Sequence, residues 1–499
     1  MLFNSYDFLI FFPIVVFLYF LIPQRFKYIW LLITSYYFYM GWNAKYAILL
    51  LISTVITYIS GLLMDMVEQK MKAIPERVIT WKKLIVAGSF ASNLSILFFF
   101  KYFDFAVMNI NRVLSILNVE LITTHFDVLL PVGISFYIFQ ALSYTMDMYR
   151  GDIYAEKNFL KYALFVSFFP QLVAGPIERS KNLLRQLNEE HSFSYAKMCD
   201  GLMLMIWGYF MKLVIADRIA ILVDTVYAPN AMYDGKYVLL ASVLFAVQIY
   251  CDFAGYSTIA VGAAKVMGFE LMENFNCPYF AETVSEFWRR WHISLSSWFR
   301  DYLYIPLGGN RKGTVRKYMN TMVVFLVSGL WHGAQWSYVI WGGLNGLYQV
   351  VGGLLTPFKK KFAKKMPTIE NSVFMKIART VVTFILVDFT WIFFRANSLK
   401  DGLTLIGRLF EINNPKLLEN GALFDLGLNR QNFVVLIIAM MILLIADIAK
   451  YNQIKVRERI LNANIVIRWS IIVISVVSIL IFGIWGSGYQ ATNFIYFQF

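Results

Sequence analysis

The sequence predicts an all-α polytopic membrane protein, and three observations predict it. Hydrophobic residues make up 59% of 499 positions and charged residues only 15%, where a soluble globular chain carries about 25% charged residues. The mean hydropathy is +0.58. The formal charge of +14, from 45 Lys+Arg against 31 Asp+Glu, is gathered in short loops between apolar runs, the distribution expected of cytoplasmic loops. That placement argues against nucleic acid as the target of the basic balance. The aromatic share of 18%, with 45 Phe and 30 Tyr, suits lipid-facing surfaces and interfacial belts.

Apolar runs of spanning character occur at 8–22, 28–42, 46–64, 84–100, 160–175, 201–215, 237–251, 336–356, 380–394, 432–447 and 469–486. A span needs about 20 residues. Shorter or interrupted runs lie near 128–146 and 318–331; re-entrant or half-spanning helices are expected there, because irregular backbone at membrane depth survives only inside protein or along a cavity. No stretch longer than about 40 residues lacks a strong apolar run, so one membrane-embedded domain, 1–499, is expected. Phe8 to Ile22 has no basic n-region or small-residue cleavage site before it and is read as a retained span. Cys199, Cys251 and Cys277 have no metal or redox spacing.

Loop charge sets an expected topology. Arg25 and Lys27, the cluster from Lys70 to Lys83, the cluster from Lys359 to Lys365, and the cluster from Lys450 to Arg468 are all assigned to the cytoplasm. Counting spans between them puts both termini outside, with Ser487 to Phe499 and the 395–431 connection on the outer face.

Four histidines are present: His125, His191, His292 and His332. His332 alone lies in a nearly uncharged apolar segment, within Trp331-His332-Gly333. Polar groups at membrane depth rarely persist without a use, and imidazole is the natural general base near neutral pH. The densest constellation runs from Glu282 to Asn310. Trp288, Trp291, Trp298 and Tyr302 recur there at spacings fitting one face of a helix, with Arg289, Arg290 and Arg300 beside it. Two readings fit: an interfacial amphipathic helix with snorkelling arginines, or a lining that meets an anionic donor, since guanidinium forks match phosphate. Pro306-Leu307-Gly308-Gly309-Asn310 reads as the turn that ends the element. His292 falls in the same block, where a hydrogen-bonded structural role competes with a chemical one. Asp252 ends a strong apolar run, costs free energy to insert, and is expected to have a partner, an arginine or a helix N-terminus. Lys101 with Asp104, and Lys212, Asp217 and Arg218, are read as structural.

Several chemistries are set aside. There is no phosphate-binding Gly-rich loop and no Gly-x-Ser-x-Gly elbow. His292 and His332 lie forty residues apart without HExxH, so no metal site is expected.

Taken together, several motifs resemble the membrane-bound O-acyltransferase (MBOAT) superfamily. They are Leu130-Pro-Val-Gly-Ile-Ser-Phe-Tyr137, Phe169-Pro-Gln-Leu-Val-Ala-Gly-Pro-Ile177, Tyr250-Cys-Asp-Phe-Ala-Gly-Tyr-Ser257, the Phe287–Asn310 block, Trp331-His332-Gly333 and Trp391-Ile-Phe-Phe-Arg-Ala396. Within it the chain is similar to the bacterial branch of the alginate O-acetyltransferase membrane subunit, related to teichoic-acid D-alanyl transferases. The resemblance implies a ring of tilted helices around a thinned centre pierced by a tunnel, in a bacterial cytoplasmic membrane. It implies a catalytic role for His332 and makes His292 a second characteristic histidine. Trp331, Arg289, Arg290, Trp291, Arg300 and Asp252 would line the tunnel or meet the donor. No bound cofactor is implied; the acyl donor is acetyl-CoA, or alternatively an acyl carrier protein. An extracytoplasmic acetyl-handling partner and an envelope or extracellular polysaccharide acceptor complete the expected system. The ending Phe494-Ile-Tyr496-Phe-Gln-Phe499, by itself an aromatic interfacial tail, resembles a C-terminal tyrosine motif in which Tyr496 would relay the acyl group. D-alanylation of teichoic acid is the enzymatic alternative. Polysaccharide export is the non-enzymatic one, since broken helices also mark transporters.

Overall fold

The computed structural model describes residues 1–124, 130–229, 231, 233–411, 423–484 and 495. Its regular secondary structure among these residues is helical throughout. Among the described residues, six helical stretches are long and apolar enough to cross a membrane: Ala44–Lys70, Pro75–Ile116, Gly235–Val266, Val373–Arg395, Arg430–Tyr451 and Ile465–Phe482. Tyr6–Leu21 is a shorter apolar helix, started by Ser5, whose hydroxyl accepts the Phe8 N–H at 3.3 Å. The Ile465–Phe482 helix buries only Ile479 within the protein, leaving a face of Val, Ile, Leu and Trp side chains outward. Water would disfavour so large an apolar surface and hydrocarbon would not. The protein is a multi-pass membrane protein.

Contacts gather in two compact units: Met1–Leu202 with Ala260–Met272, and Met203–Ile259 with Glu273–Phe499. The first is organised around buried tyrosines. Tyr162 donates its hydroxyl to Thr57 Oγ1 at 2.7 Å, and its ring lies 4.5 Å from that of Tyr144. A Cβ on Gly61 would meet the Tyr144 hydroxyl at 2.5 Å, so glycine there lets the Ala47–Lys70 helix close on Ile134–Arg150. The apolar run at 160–175 is not a span. It forms two short helices, Phe159–Ser167 and Phe169–Leu172, broken at Phe168 where Pro170 follows, since a helix resists a proline in its interior. Lys101 lies on a π-helical turn at Phe98–Tyr102 and reaches Ser135 Oγ at 3.4 Å.

The second unit carries His292 and His332, which are both buried. Two sequence expectations change here. The 318–331 run, expected to be short or interrupted, belongs to one continuous 20-residue helix, Gly313–His332. Thr314, Arg316, Lys317 and Asn320 had masked its length, because they dilute the apolar signal in its first half. The 284–302 block is, conversely, not one helix. It forms Val284–Arg290, Ile293–Phe299 and a π-helical turn Arg300–Tyr304, broken at Trp291 and His292. The turn expected at 306–310 is present, with Gly308 and Gly309 at φ 106° and 55°.

Candidate active site

His332 is placed by two helices that approach closely. Gly313–His332 packs along Trp336–Lys365. A Cβ on Gly329 would lie 2.3 Å from the Tyr338 carbonyl oxygen, and one on Gly342 would lie 2.2 Å from that of Phe325. Only glycine permits this spacing. The same reason explains the glycine of Trp331-His332-Gly333. Gly333 is extended, at φ −164°, a conformation any residue adopts, but a Cβ there would meet Tyr338 Cε2 at 2.2 Å. His332 is the last residue of its helix and is buried. Its ring stands edge-to-face against Trp331, Trp341 and Phe394, at 4.9, 5.0 and 5.3 Å between centroids. These rings exclude water, which strengthens any charge interaction formed there.

The helix break is what positions His292. His292 has φ 43° and ψ 54°, a left-handed conformation that costs a non-glycine residue about 1 kcal/mol or more. Asn274 holds it there. The Asn274 carbonyl accepts the Ile293 N–H at 2.9 Å, and Asn274 Oδ1 accepts the Ser294 N–H at 3.1 Å and the Ser294 hydroxyl at 3.0 Å. That oxygen also faces His292 Nδ1 at 3.2 Å. The backbone N–H identifies this atom as the oxygen, so Nδ1 carries the imidazole proton and Nε2 carries the lone pair. Burial pushes the imidazole down from 6.5 to about 3, so His292 is neutral at working pH.

Trp331 joins the two histidines, its indole 6.0 Å from His292 and 4.9 Å from His332. Behind them runs an aromatic wall. Trp291 packs on Trp391 at 5.1 Å, and Trp391 stacks on Trp341 at 5.8 Å. Trp288 is pinned by its indole N–H to Asn345 Oδ1 at 3.1 Å. Trp288, Trp291, Trp298 and Tyr302 are all buried, so this face is core within the unit and not an interfacial surface. Arg289 and Arg300 are exposed; Arg300 also pairs with Asp301 at 2.8 Å. Arg290 is bound to Glu286 at 2.7 Å and lies over the Tyr451 ring, which fixes the end of its short helix.

Asp252 is buried, and its charged partner is a lysine, where an arginine or helix N-terminus was expected. Lys212 lies 2.5 Å from Asp252 and 2.8 Å from Asp217. The next residue, Phe253, packs against His292 at 4.6 Å. Tyr496 lies outside the described residues. Its neighbour Ile495 is described and is buried. Sequence reasoning missed Asn274 and Trp341. A lone asparagine eighteen positions before its histidine carries no local signal. Trp341 falls nine residues after His332, in a run that reads as ordinary apolar helix. Among the described residues no group of three or more His, Cys, Asp or Glu side chains is placed to hold a metal ion.

Residues 3–394 match the family described as MBOAT, membrane-bound O-acyltransferase family. The chain is 38% identical over 421 residues to the Probable alginate O-acetylase AlgI of Pseudomonas putida, covering 84% of this chain and 82% of the relative. It is 33% identical over 433 residues to the Peptidoglycan O-acetyltransferase of Helicobacter pylori, covering 81% and 77%. Similarity to the Teichoic acid D-alanyltransferase of Bacillus subtilis is 28% over 274 residues, covering 53% and 68%.

Proposed function

The chain belongs to the membrane-bound O-acyltransferase family and is an acyltransferase; from that premise we propose that it moves an acetyl group from cytoplasmic acetyl-CoA to a hydroxyl of an envelope or extracellular polysaccharide. The observation that carries the reading is His332, buried in an aromatic cage at a helix end, in a chain similar to polysaccharide O-acetylating proteins.

In the proposed reaction the His332 imidazole takes the proton of the attacking hydroxyl. The hydroxyl oxygen adds to the thioester carbonyl, the C–S bond breaks, and the imidazolium returns the proton to the departing thiolate of coenzyme A. The Tyr496 phenol is the first attacking hydroxyl. Its acetyl ester then passes to the acceptor hydroxyl, directly or through an extracytoplasmic partner protein. A phenol suits this relay because its ester is reactive and an adjacent base can take its proton. Neutral His292 orients the wall through Asn274. The exposed Arg289 and Arg300 meet the donor's phosphates, while Trp331 and Trp291 line the path. The lysine-rich loops face the cytoplasm and both termini face outward. A cysteine placed in the lysine-rich 359–365 segment tests that orientation; reaction only with externally added, membrane-impermeant thiol probes contradicts it.

Purified protein with free acetyl-CoA tests the donor. His332-dependent release of coenzyme A supports acetyl-CoA. Transfer that occurs only from a D-alanyl carrier protein favours the second reading, which the similarity to the Bacillus subtilis protein keeps open.

A further inference from the structure

The buried lysine–carboxylate cluster of the second unit binds the backbone at Ile495. Glycines build it. The helix ending at Tyr209 and the Gly235–Val266 helix meet at Gly208 and Gly255, where a Cβ on Gly208 would lie 2.5 Å from the Gly255 carbonyl oxygen. Immediately after this contact, Phe210–Ala216 winds as a π-helix, a local widening that recurs at functional sites. The wide turn carries Lys212 to Asp252, three residues before Gly255. Lys212 bridges Asp252 at 2.5 Å and Asp217 at 2.8 Å, so one ammonium serves two carboxylates. A buried carboxylate calls for further donors, and Asp252 Oδ2 accepts the backbone N–H of Ile495 at 2.8 Å.

The same element holds the approach to the tail. Ile484 N–H donates to the Leu213 carbonyl at 3.1 Å. Arg218 donates to the Phe482 carbonyl at 2.7 Å and to Asn432 Oδ1 at 3.2 Å. The chain is therefore gripped where its last helix ends, and gripped again at Ile495. Both grips are on residues 212–218 or on the carboxylate paired with Lys212. Ile495 is 3% exposed, and Phe253, beside Asp252, rests on His292.

We propose that Asp252, held by Lys212, is the positioning residue that docks the backbone at Ile495 inside the second unit, and so fixes the residue that precedes Tyr496. Docking stands on geometry alone. Its consequence for catalysis rests on the relay reading above. The backbone at Ile495 is thus bound by the core of the enzyme, and the ion pair serves as its receptor. The contact is to backbone, so it fixes position without depending on the Ile495 side chain.

Amide hydrogen exchange with residue-level fragmentation, on the full chain in detergent, reads the docking directly. The Ile495 amide is expected to exchange at least a hundredfold more slowly than an open amide. Asp252→Ala is expected to remove that protection, and Asp252→Asn, which keeps an acceptor, to retain part of it. Free exchange in the parent protein, or protection unchanged in Asp252→Ala, overturns the proposal. Ile495→Pro deletes the N–H and leaves the buried ion pair in place, which guards against a misfolded Asp252 variant. It is expected to lose at least tenfold in acetyl transfer to the acceptor while His332-dependent thioester hydrolysis persists; Ile495→Ala, which keeps the N–H, is expected to retain more transfer than Ile495→Pro. Loss of Ile495 protection in Asp252→Ala together with undiminished transfer by Ile495→Pro supports docking and overturns the tyrosine relay instead.

Discussion

His332 meets Trp341 edge-to-face, with 5.0 Å between ring centroids and 85° between planes. Trp341 in turn stacks on Trp391, so the catalytic candidate is oriented by packing from a second helix. Trp341→Leu keeps an apolar side chain but removes the flat wall. We expect kcat to fall about tenfold or more with KM for acetyl-CoA nearly unchanged, since a misplaced base weakens the transition state and not the ground state. A raised KM at unchanged kcat would place Trp341 in donor binding instead.

Gly329→Ala tests the helix contact that sets His332. Its Cβ would lie 2.3 Å from a backbone oxygen, which a rotamer change cannot relieve. Overpacking of this kind costs about 1–3 kcal/mol. The expected result is a lower melting temperature in detergent together with reduced turnover. Gly343→Ala, with only a side-chain atom at 3.6 Å, is expected to leave both unchanged and serves as the control.

Burial of His292 predicts a pH dependence of stability. Its imidazole is pushed down from 6.5 to about 3, so the unfolded chain takes up a proton that the native state refuses. This contribution is fully present above about pH 6.5 and is lost as pH falls from there towards 3, at up to about 1.4 kcal/mol per pH unit. Replacing His292 with Gln removes the titrating group while an amide nitrogen can still donate towards Asn274. Between pH 7.5 and about 5 the melting temperature of the parent should fall relative to that of the variant as pH drops. A constant difference across that range would contradict a neutral buried imidazole.

Arg289 and Arg300 carry the proposed attraction for the donor's phosphates. A hydrogen bond to a charged group contributes about 1.5–3 kcal/mol, so Arg289→Gln and Arg300→Gln are each expected to raise KM for acetyl-CoA about tenfold, with a weaker dependence on salt and little change in kcat. Arg290 is committed to Glu286 and Tyr451, and Arg290→Gln is expected to lower stability instead. Equal KM values for all three variants and the parent would remove arginine from donor binding.

The membrane class was legible because it is a property of composition, and the Gly308-Gly309 turn because glycine dipeptides act locally. What sequence misread was set by tertiary contact. Residues 284–302 have helical spacing throughout, yet Asn274 captures the backbone at Ile293 and Ser294 and breaks the helix at His292. Periodicity cannot report a competing acceptor from another loop. Residues 313–320 are too polar for an apolar window, yet they extend the helix that ends in His332. Lys212, Asp217 and Asp252 were each visible as costly charges in apolar runs; that one lysine joins both carboxylates depends on the Gly208–Gly255 contact, which no local pattern encodes. Trp331-His332-Gly333 was readable as a motif, but the reason for its glycine, the Tyr338 ring, required the structure.

In the proposed reaction His332 activates a hydroxyl that takes acetyl from acetyl-CoA, with Tyr496 as first acceptor. The most direct measurement is incubation of the purified protein with isotope-labelled acetyl-CoA, followed by mass spectrometry of the C-terminal peptide, beside His332→Ala. Label is expected on Tyr496 in the parent protein, and in His332→Ala a rate of labelling at least about a hundredfold lower, as for loss of a general base, with membrane insertion intact. Label that forms equally fast without His332, or release of coenzyme A unaffected by its loss, would contradict it.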